Sequence, residues 1–212
     1  MTSILHLQAS PRTGHSISRR FSTELAERLR QKGGGQVIVR DLVITPPPFV
    51  DEAFSAAILG NHAAEDPAFA ASEVLIRELE ACNTLVIGTS MHNYGVPAVL
   101  KAWVDQVIRI HRSFRATPAG KVGLLPDRPV WLVVASGGWF SVPTPGAPDA
   151  PPPQPDFLTP YLRAALATIG LRDLRVITLE GISRGPEARQ SALTRAHATL
   201  DQTLAQSRPA AI

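Results

Sequence analysis

The chain has 212 residues, of which 44% are apolar and 18% charged, and its net charge is +3 with neutral histidines. This is an ordinary globular composition with enough residues for a substantial core, and it excludes an intrinsically disordered chain. No apolar run approaches the ~20 residues that span a bilayer, so no membrane partner is predicted. The chain begins without a basic segment followed by a long apolar one, which predicts a cytoplasmic location.

Hydrophobic periodicity predicts strands that alternate with helices along the chain. The predicted strands are 3–8, 37–42, 85–89, 129–135 and 174–179. The predicted helices are 16–32, a short one near 53–59, 68–81, 97–110, 157–169 and 186–205. This alternation predicts an α/β fold, a flavodoxin-like three-layer sandwich whose five-stranded parallel sheet has the order 2-1-3-4-5.

The same pattern predicts one domain over residues 1–206, followed by a short tail at 207–212. Residues 141–155 hold seven prolines and show no helical or strand period, so they are interpreted as a flap. In the predicted strand order, ligands bind between the first and third strands, at the carboxyl edge of the sheet. That rule selects the loops 9–16 and 90–97.

The loop after the first strand combines hydroxyl side chains with the start of a helix. Ser10, Ser16 and Ser18 lie there, with Ile17 at the helix start. Hydroxyls and free N–H groups at a helix N-terminus bind phosphate. Neither a triphosphate P-loop nor a dinucleotide fingerprint is present, so a terminal phosphomonoester such as that of FMN fits better. The alternative is that Ser16 or Ser18 only caps the helix.

The loop after the third strand carries Met91, His92, Asn93 and Tyr94, where a plain connection would use small polar residues. Backbone N–H groups there could bond N5 and O4 of an isoalloxazine ring, with Met91 and Tyr94 packed beside it. The alternative is a packed connection in which His92 and Tyr94 are surface residues. The position at the carboxyl edge favours the ring.

The loop after the fourth strand carries Ser136, Gly137, Gly138 and Trp139. Two glycines after a buried strand let the backbone approach a ligand closely. Their N–H groups could bond O2 and N3 of a flavin pyrimidine, where donors favour the reduced form because negative charge accumulates there. A simple turn is the alternative for this loop.

Other residues that could carry chemistry have plainer interpretations. Cys82 is the one cysteine, so it cannot form an internal disulfide, and we expect a buried thiol. The six histidines lack metal-ligand spacing, so no metal is predicted. The basic residues are interpreted as solvated helix faces, which gives no nucleic-acid partner. Asp105 is predicted to pair with Lys101 and Arg109 along a helix rather than to act as an acid.

Several segments together resemble one family. They are 10 with 16–19, 91–94 with 96–97 and 100–103, 112–115, 136–138, 159–162, and 180–182 with 185–187. With these segments the chain resembles the FMN-dependent NADH-azoreductases, also described as FMN-dependent NADH:quinone oxidoreductases. The resemblance implies a flavodoxin-like homodimer with tightly bound FMN near the interface.

The resemblance also implies a set of FMN contacts. Phosphate contacts would be Ser10, Ser16, Ile17 and Ser18, and ring contacts would be Met91, His92, Asn93, Tyr94, Ser136, Gly137, Gly138 and Trp139. The implied reaction is ping-pong: NADH, or alternatively NADPH, gives a hydride to FMN, and a quinone or an azo compound then takes two electrons. Because the flavin carries the chemistry, no side chain is assigned a catalytic role.

The chain departs from the family pattern in two places. The fourth-strand loop of the family often has an arginine between the serine and the two glycines, whereas Gly137 directly follows Ser136 here. The proline-rich stretch 141–155 is also longer than usual. Two other functions stay open: a flavodoxin-type electron carrier and an FAD-using NAD(P)H quinone reductase. Carriers are usually acidic and this chain is basic, while the serine-rich loop favours a mononucleotide.

Overall fold

The structure, a computed structural model, describes residues 3–141 and 153–206. The predicted tail and most of the predicted flap therefore lie outside the described residues. The strands are β1 (Ser3–Gln8), β2 (Gln36–Asp41), β3 (Thr84–Ser90), β4 (Phe114–Thr117), β5 (Gly120–Gly123), β6 (Val130–Ala135) and β7 (Leu174–Leu179). The helices are α1 (Ile17–Gly33), α2 (Glu52–Leu59), α3 (Ala70–Ala81), α4 (Ala98–Val107), α5 (Leu158–Thr168) and α6 (Pro186–Gln206).

The main sheet is parallel and has the order β2-β1-β3-β6-β7. The predicted order is confirmed, because β6 and β7 are the fourth and fifth strands of the prediction. The sequence did not predict the second sheet, an antiparallel hairpin of β4 and β5. Both hairpin strands are four residues long and mostly exposed, so they lack the apolar pattern that reveals a strand.

Two helical layers cover the sheet. α1 and α6 pack on one face, and α3, α4 and α5 pack on the other. β6 is buried along its whole length, as its continuous apolar run predicted. The predicted inner face of α4, which consists of Leu100, Trp103, Val104 and Val107, is fully or almost fully buried. None of the described helices is both long and apolar enough to cross a membrane.

α1 approaches the sheet unusually closely at Gly88 of β3. A Cβ atom at Gly88 would lie 2.2 Å from Oγ of Ser22 and 3.3 Å from the carbonyl oxygen of Ser18. Contacts this short leave no room for a side chain, so α1 packs directly on the backbone of β3. The start of α1 is thereby brought to the edge of the sheet where β3 ends.

Arg109 does not make the pair that the sequence predicted. Lys101 donates to Asp105 at 2.6 Å, which confirms that half of the prediction. α4 ends at Val107, however, and Arg109 is only 2% exposed and forms an ion pair with Glu73 of α3. The prediction of an Asp105–Arg109 ion pair is therefore wrong, because the helix ends before Arg109 and the two residues are not one helical turn apart on its surface.

Burial displaces the pKa values of Cys82 and His6. Cys82 is buried, as predicted, and burial raises the pKa of its thiol. His6 is 1% exposed, and desolvation together with the Arg19 charge lowers its pKa to about 4. The Ser22 hydroxyl donates to the carbonyl of Arg19, so the neutral His6 ring donates from Nε2 to Oγ of Ser22 at 2.9 Å.

We expect His6 to make the protein acid-sensitive in a defined window. Its unfolded pKa is the ordinary 6.5, so the unfolded state binds the extra proton first as the pH falls from 6.5 to about 4. The contribution of neutral His6 to the free energy of unfolding is fully present above pH 6.5. It decreases through that window by up to about 3 kcal/mol. Urea unfolding of wild type and His6→Gln across this range measures the effect. Parallel stability curves for the two proteins would contradict it.

Candidate functional site

A cleft of about 1320 Å³ opens at the carboxyl edge of the sheet, where β1, β3 and β6 end. This is the edge that the strand order selected. The predicted site residues that line the cleft are Ser10, Ser16, Ile17, Ser18, Met91, His92 and Gly137. The remaining five predicted residues belong to the same loops but are not among the residues that line the cleft: Asn93, Tyr94, Ser136, Gly138 and Trp139.

One side of the cleft is built on the first turn of α1. Ser16 is the N-cap, and its Oγ accepts from the backbone N–H of Arg19 at 3.2 Å and lies 3.0 Å from Oγ of Ser18. Ser16 therefore does cap the helix, which was the alternative to phosphate binding. The N–H groups of Ile17 and Ser18 precede the first helical hydrogen bond, and the first turn holds no acidic residue. An anion therefore fits this helix end in charge and in donors.

Arg19 holds the loop that follows β1 in place. It is buried, and its Nε and Nη2 donate to the carbonyl oxygen of Ser10 at 2.9 and 2.7 Å. Its guanidinium also pairs with Asp41, and this contact lowers the pKa of the Asp41 carboxyl. The charge of Arg19 is thus balanced by Asp41, and Arg19 holds the Ser10 backbone while it also belongs to the cleft lining. This role of Arg19 was not predicted from the residue pattern.

The loop after β3 is a tight turn with an unusual backbone. His92 and Gly95 exchange two backbone hydrogen bonds of 2.9 Å, and the residues between them have positive φ, 47° at Asn93 and 71° at Tyr94. Asparagine tolerates this conformation, whereas a tyrosine there is strained. Strained residues are concentrated at functional sites, because elsewhere nothing compensates for their cost. The Nε2 of His92 lies 3.0 Å from Oγ of Ser90, at the cleft wall.

Gly137 and Gly138, which follow β6, lie close to side chains of this protein, and Gly137 also lines the cleft. A Cβ at Gly137 would lie 2.9 Å from Oγ of Ser183, and one at Gly138 would lie 3.0 Å from Oε1 of Gln154. Gly137 also lines the cleft, as the prediction of a ligand contact requires. For Gly138, the close neighbour in the structure is a side chain of this chain.

Glu180 and Gly181, which the sequence did not assign to the site, hold this loop. Glu180 is 2% exposed, and its Oε2 accepts from the backbone N–H groups of Phe140 at 2.7 Å and Ser141 at 3.0 Å. Gly181 has φ 75° and donates to the carbonyl of Gly138 at 3.1 Å. A Cβ at Gly181 would lie 2.7 Å from the ring of Trp139, so only glycine fits there.

The lining of the cleft carries charges of both signs, since it includes Glu24 and Glu27 as well as arginines. Arg12, Arg20 and Arg189 line the cleft, all three are exposed, and none forms a salt bridge with another described residue. Exposed cations at a cleft mouth attract anionic ligands from solution. Among the described residues there is no group of three or more His, Cys, Asp or Glu side chains that could hold a metal ion.

Comparisons with known proteins agree with this geometry. A family model described as a flavodoxin-like fold matches residues 2–204. The chain is 42% identical over 192 residues to FMN-dependent NADH:quinone oxidoreductase 2 of Cupriavidus pinatubonensis, which covers 88% of this chain and 90% of the relative. It is also 42% identical over 201 residues to FMN-dependent NADH:quinone oxidoreductase 4 of Pseudomonas fluorescens, with 94% of both chains covered.

A solved structure shows the same fold. The FMN-dependent NADH-azoreductase of Bacillus anthracis in complex with FMN has a TM-score of 0.75 at 20% identity, and the match covers 96% of this chain and 99% of that chain. Sheet order, helical layers and this match define the protein as one with a flavodoxin-like fold. Within that class, the chain belongs to the family of FMN-dependent NADH:quinone oxidoreductases. The resemblance read from its motifs is confirmed.

We expect the buried Arg19 to stabilise the fold far more than its exposed neighbour Arg20. Arg19→Met leaves the Asp41 carboxylate without its partner and removes two donors from the Ser10 carbonyl, which should cost about 3 kcal/mol of unfolding free energy. Arg20→Met, the matched control, should change it by less than about 0.5 kcal/mol. Urea denaturation measures the unfolding free energy of both variants. Equal losses in the two would contradict a stabilising role for the buried contacts of Arg19.

Proposed function

We propose that this chain is an FMN-dependent NADH:quinone oxidoreductase that also cleaves aromatic azo compounds, in a ping-pong reaction. The proposal rests mainly on what meets at the carboxyl ends of β1 and β3. A hydroxyl-rich helix start and a strained turn meet there at one cleft. The names of its relatives at 42% identity support the cofactor, the donor and the quinone.

The donor set fits the phosphate of FMN. Ser10, Ser16 and Ser18 belong to the lining of the cleft and are each at most 5% exposed, so they form part of a preformed surface. With the N–H groups of Ile17 and Ser18, they offer donors and no negative charge to a phosphomonoester. We propose these four residues as the phosphate contacts.

The walls after β3 and β6 suit a flat ring with polar edges. We propose that Met91, His92, Asn93 and Tyr94 bind the ring from one side. From the other, Ser136, Gly137, Gly138 and Trp139 would present backbone donors. The turn at Asn93 and Tyr94 is fixed by two hydrogen bonds, and Glu180 fixes the chain just after Trp139. Rigid walls orient a ring without an ordering cost on binding.

Bound FMN supplies the redox chemistry, since it can accept a hydride and pass two electrons to an acceptor. The residues of this chain bind it, orient it and tune it, and we assign no side chain as an acid or base. Backbone donors near the pyrimidine favour the form that carries more negative charge. The exposed Arg12, Arg20 and Arg189 of the cleft lining suit the approach of anionic NADH or NADPH.

The alternative of a flavodoxin-type carrier is less well supported. Carriers act by meeting a protein partner and need no substrate of their own, whereas the relatives are named as oxidoreductases with a nicotinamide donor and a quinone acceptor. The net charge of +3 also differs from the acidic surface that carriers usually present.

We also propose that the enzyme is a homodimer. Large apolar side chains between β2 and α3 are strongly exposed: Ile44 is 71%, Phe49 75% and Leu59 88% exposed. Exposed apolar groups near one another in the chain are typical of surfaces that another protein covers. A second copy of this chain is the partner that the family resemblance implies.

We expect purified protein to be yellow, to release FMN on denaturation, and to oxidise NADH rapidly only when a quinone is present. Initial rates at several fixed quinone concentrations should give parallel double-reciprocal lines, as ping-pong kinetics require. Absorbance at the flavin and nicotinamide bands measures both properties. A protein that takes up no FMN would overturn the proposal, and flavin binding without NADH oxidation would favour the carrier.

A substitution at Ser16 separates helix capping from phosphate binding. Aspartate caps a helix as well as serine does, so Ser16→Asp should leave the unfolding free energy nearly unchanged. Its negative charge should repel a phosphate and weaken FMN binding at least about tenfold, while riboflavin, which lacks the phosphate, should be little affected. Flavin fluorescence titration of both ligands measures this. Full FMN affinity in the variant would contradict the phosphate assignment.

A further inference from the structure

Gln154 connects the two walls of the proposed ring site. Its Nε2 donates to Oγ of Ser136 at 2.6 Å and lies 3.3 Å from Sδ of Met91. Ser136 follows β6 and Met91 follows β3, so one carboxamide contacts both loops. Both hydrogens of the amide nitrogen have an acceptor, the sulfur being the weaker of the two.

The main chain around Gln154 is tied to the same two loops. The N–H of Gln154 donates to the carbonyl of Trp139, and the N–H of Phe157 donates to the carbonyl of Tyr94, both at 2.9 Å. Residues 154–157 therefore form a strap that crosses from one wall to the other. The lack of a side chain at Gly138 admits the Gln154 carboxamide, since a Cβ there would lie 3.0 Å from its Oε1.

We propose that Gln154 is a positioning residue that sets the spacing of the ring walls and so determines how tightly the flavin ring is held. This rests on the proposed function, in which the ring binds between those walls. The hydrogen bonds of Gln154 reach Met91, Ser136 and Trp139, which all belong to the proposed ring walls. Its influence therefore falls on the ring and not on the phosphate.

The fourth-strand loop explains why the chain needs such a residue. Gly137 follows Ser136 directly, so this loop has no side chain of its own between the serine and the glycines. Gln154 reaches Ser136 from the strap and supplies the polar contact from outside the loop. A carboxamide suits this role because it donates without adding charge beside the ring.

The test compares FMN with riboflavin. Gln154→Met keeps the length of the side chain but removes its donors, and it should weaken both flavins by the same factor, about threefold to tenfold. Gln202→Met, at an exposed position of α6, is the matched control and should change neither. Fluorescence titration of the flavin-depleted protein gives the affinities, and its thermal unfolding shows whether each variant is folded.

A second variant tests the position of the side chain beside the ring. Gln154→Glu can still accept from the Ser136 hydroxyl, but its negative charge should lower the midpoint potential of bound FMN, whereas Gln154→Met should leave it nearly unchanged. Unchanged flavin affinity in Gln154→Met would overturn the proposal. Tighter binding would also overturn it, since Gln154 would then compete with the ring. An unshifted potential in Gln154→Glu would place the side chain away from the ring.

These outcomes are distinct from failure of the proposed function. Wild-type protein that binds neither FMN nor riboflavin would refute the flavin site itself, and the role of Gln154 with it. Wild-type protein that binds both, with no change in Gln154→Met, would refute only the role of Gln154. Loss of FMN affinity alone, with riboflavin unaffected, would assign Gln154 to the phosphate end and contradict the spacing role.

Discussion

The close packing of α1 on the backbone of β3 is the constraint on which the site depends. Gly88 leaves room for Ser22 and for the Ser18 carbonyl, so the helix rests on the strand without an intervening side chain. This contact fixes the start of α1 beside the end of β3. The serine-rich loop and the turn after Met91 therefore share one cleft, although about 75 residues of sequence separate them.

Buried charges then fix the loops at that edge. Arg19 holds the Ser10 carbonyl while Asp41 neutralises it, and Glu180 gathers the N–H groups that follow Trp139. Loops are normally the mobile part of a fold, and a site built on them needs such support to stay preorganised. Arg19 and Glu180 are both buried, and each holds the backbone of one of these loops.

Particular residues show how far the sequence could be interpreted. The strand order, the cleft edge and the buried face of α4 followed from apolar periodicity, because burial imposes that pattern directly. The hairpin of β4 and β5 was missed, since short exposed strands bury too little to leave a pattern. Arg109 was misassigned because helix ends are set by local capping and tertiary contacts, and α4 stops at Val107.

The sequence by itself determined the fold class, the family and the loops that meet at the cleft, since each depends on local patterns and on residue types within a few positions. Tertiary structure alone decided how those loops are held. Gln154 meets Ser136 across 18 positions, Arg19 meets Asp41 across 22, and Glu180 meets Phe140 across 40. Such contacts leave no periodic signal in the chain, because they depend on how the strands and helices pack and not on the spacing between neighbouring residues.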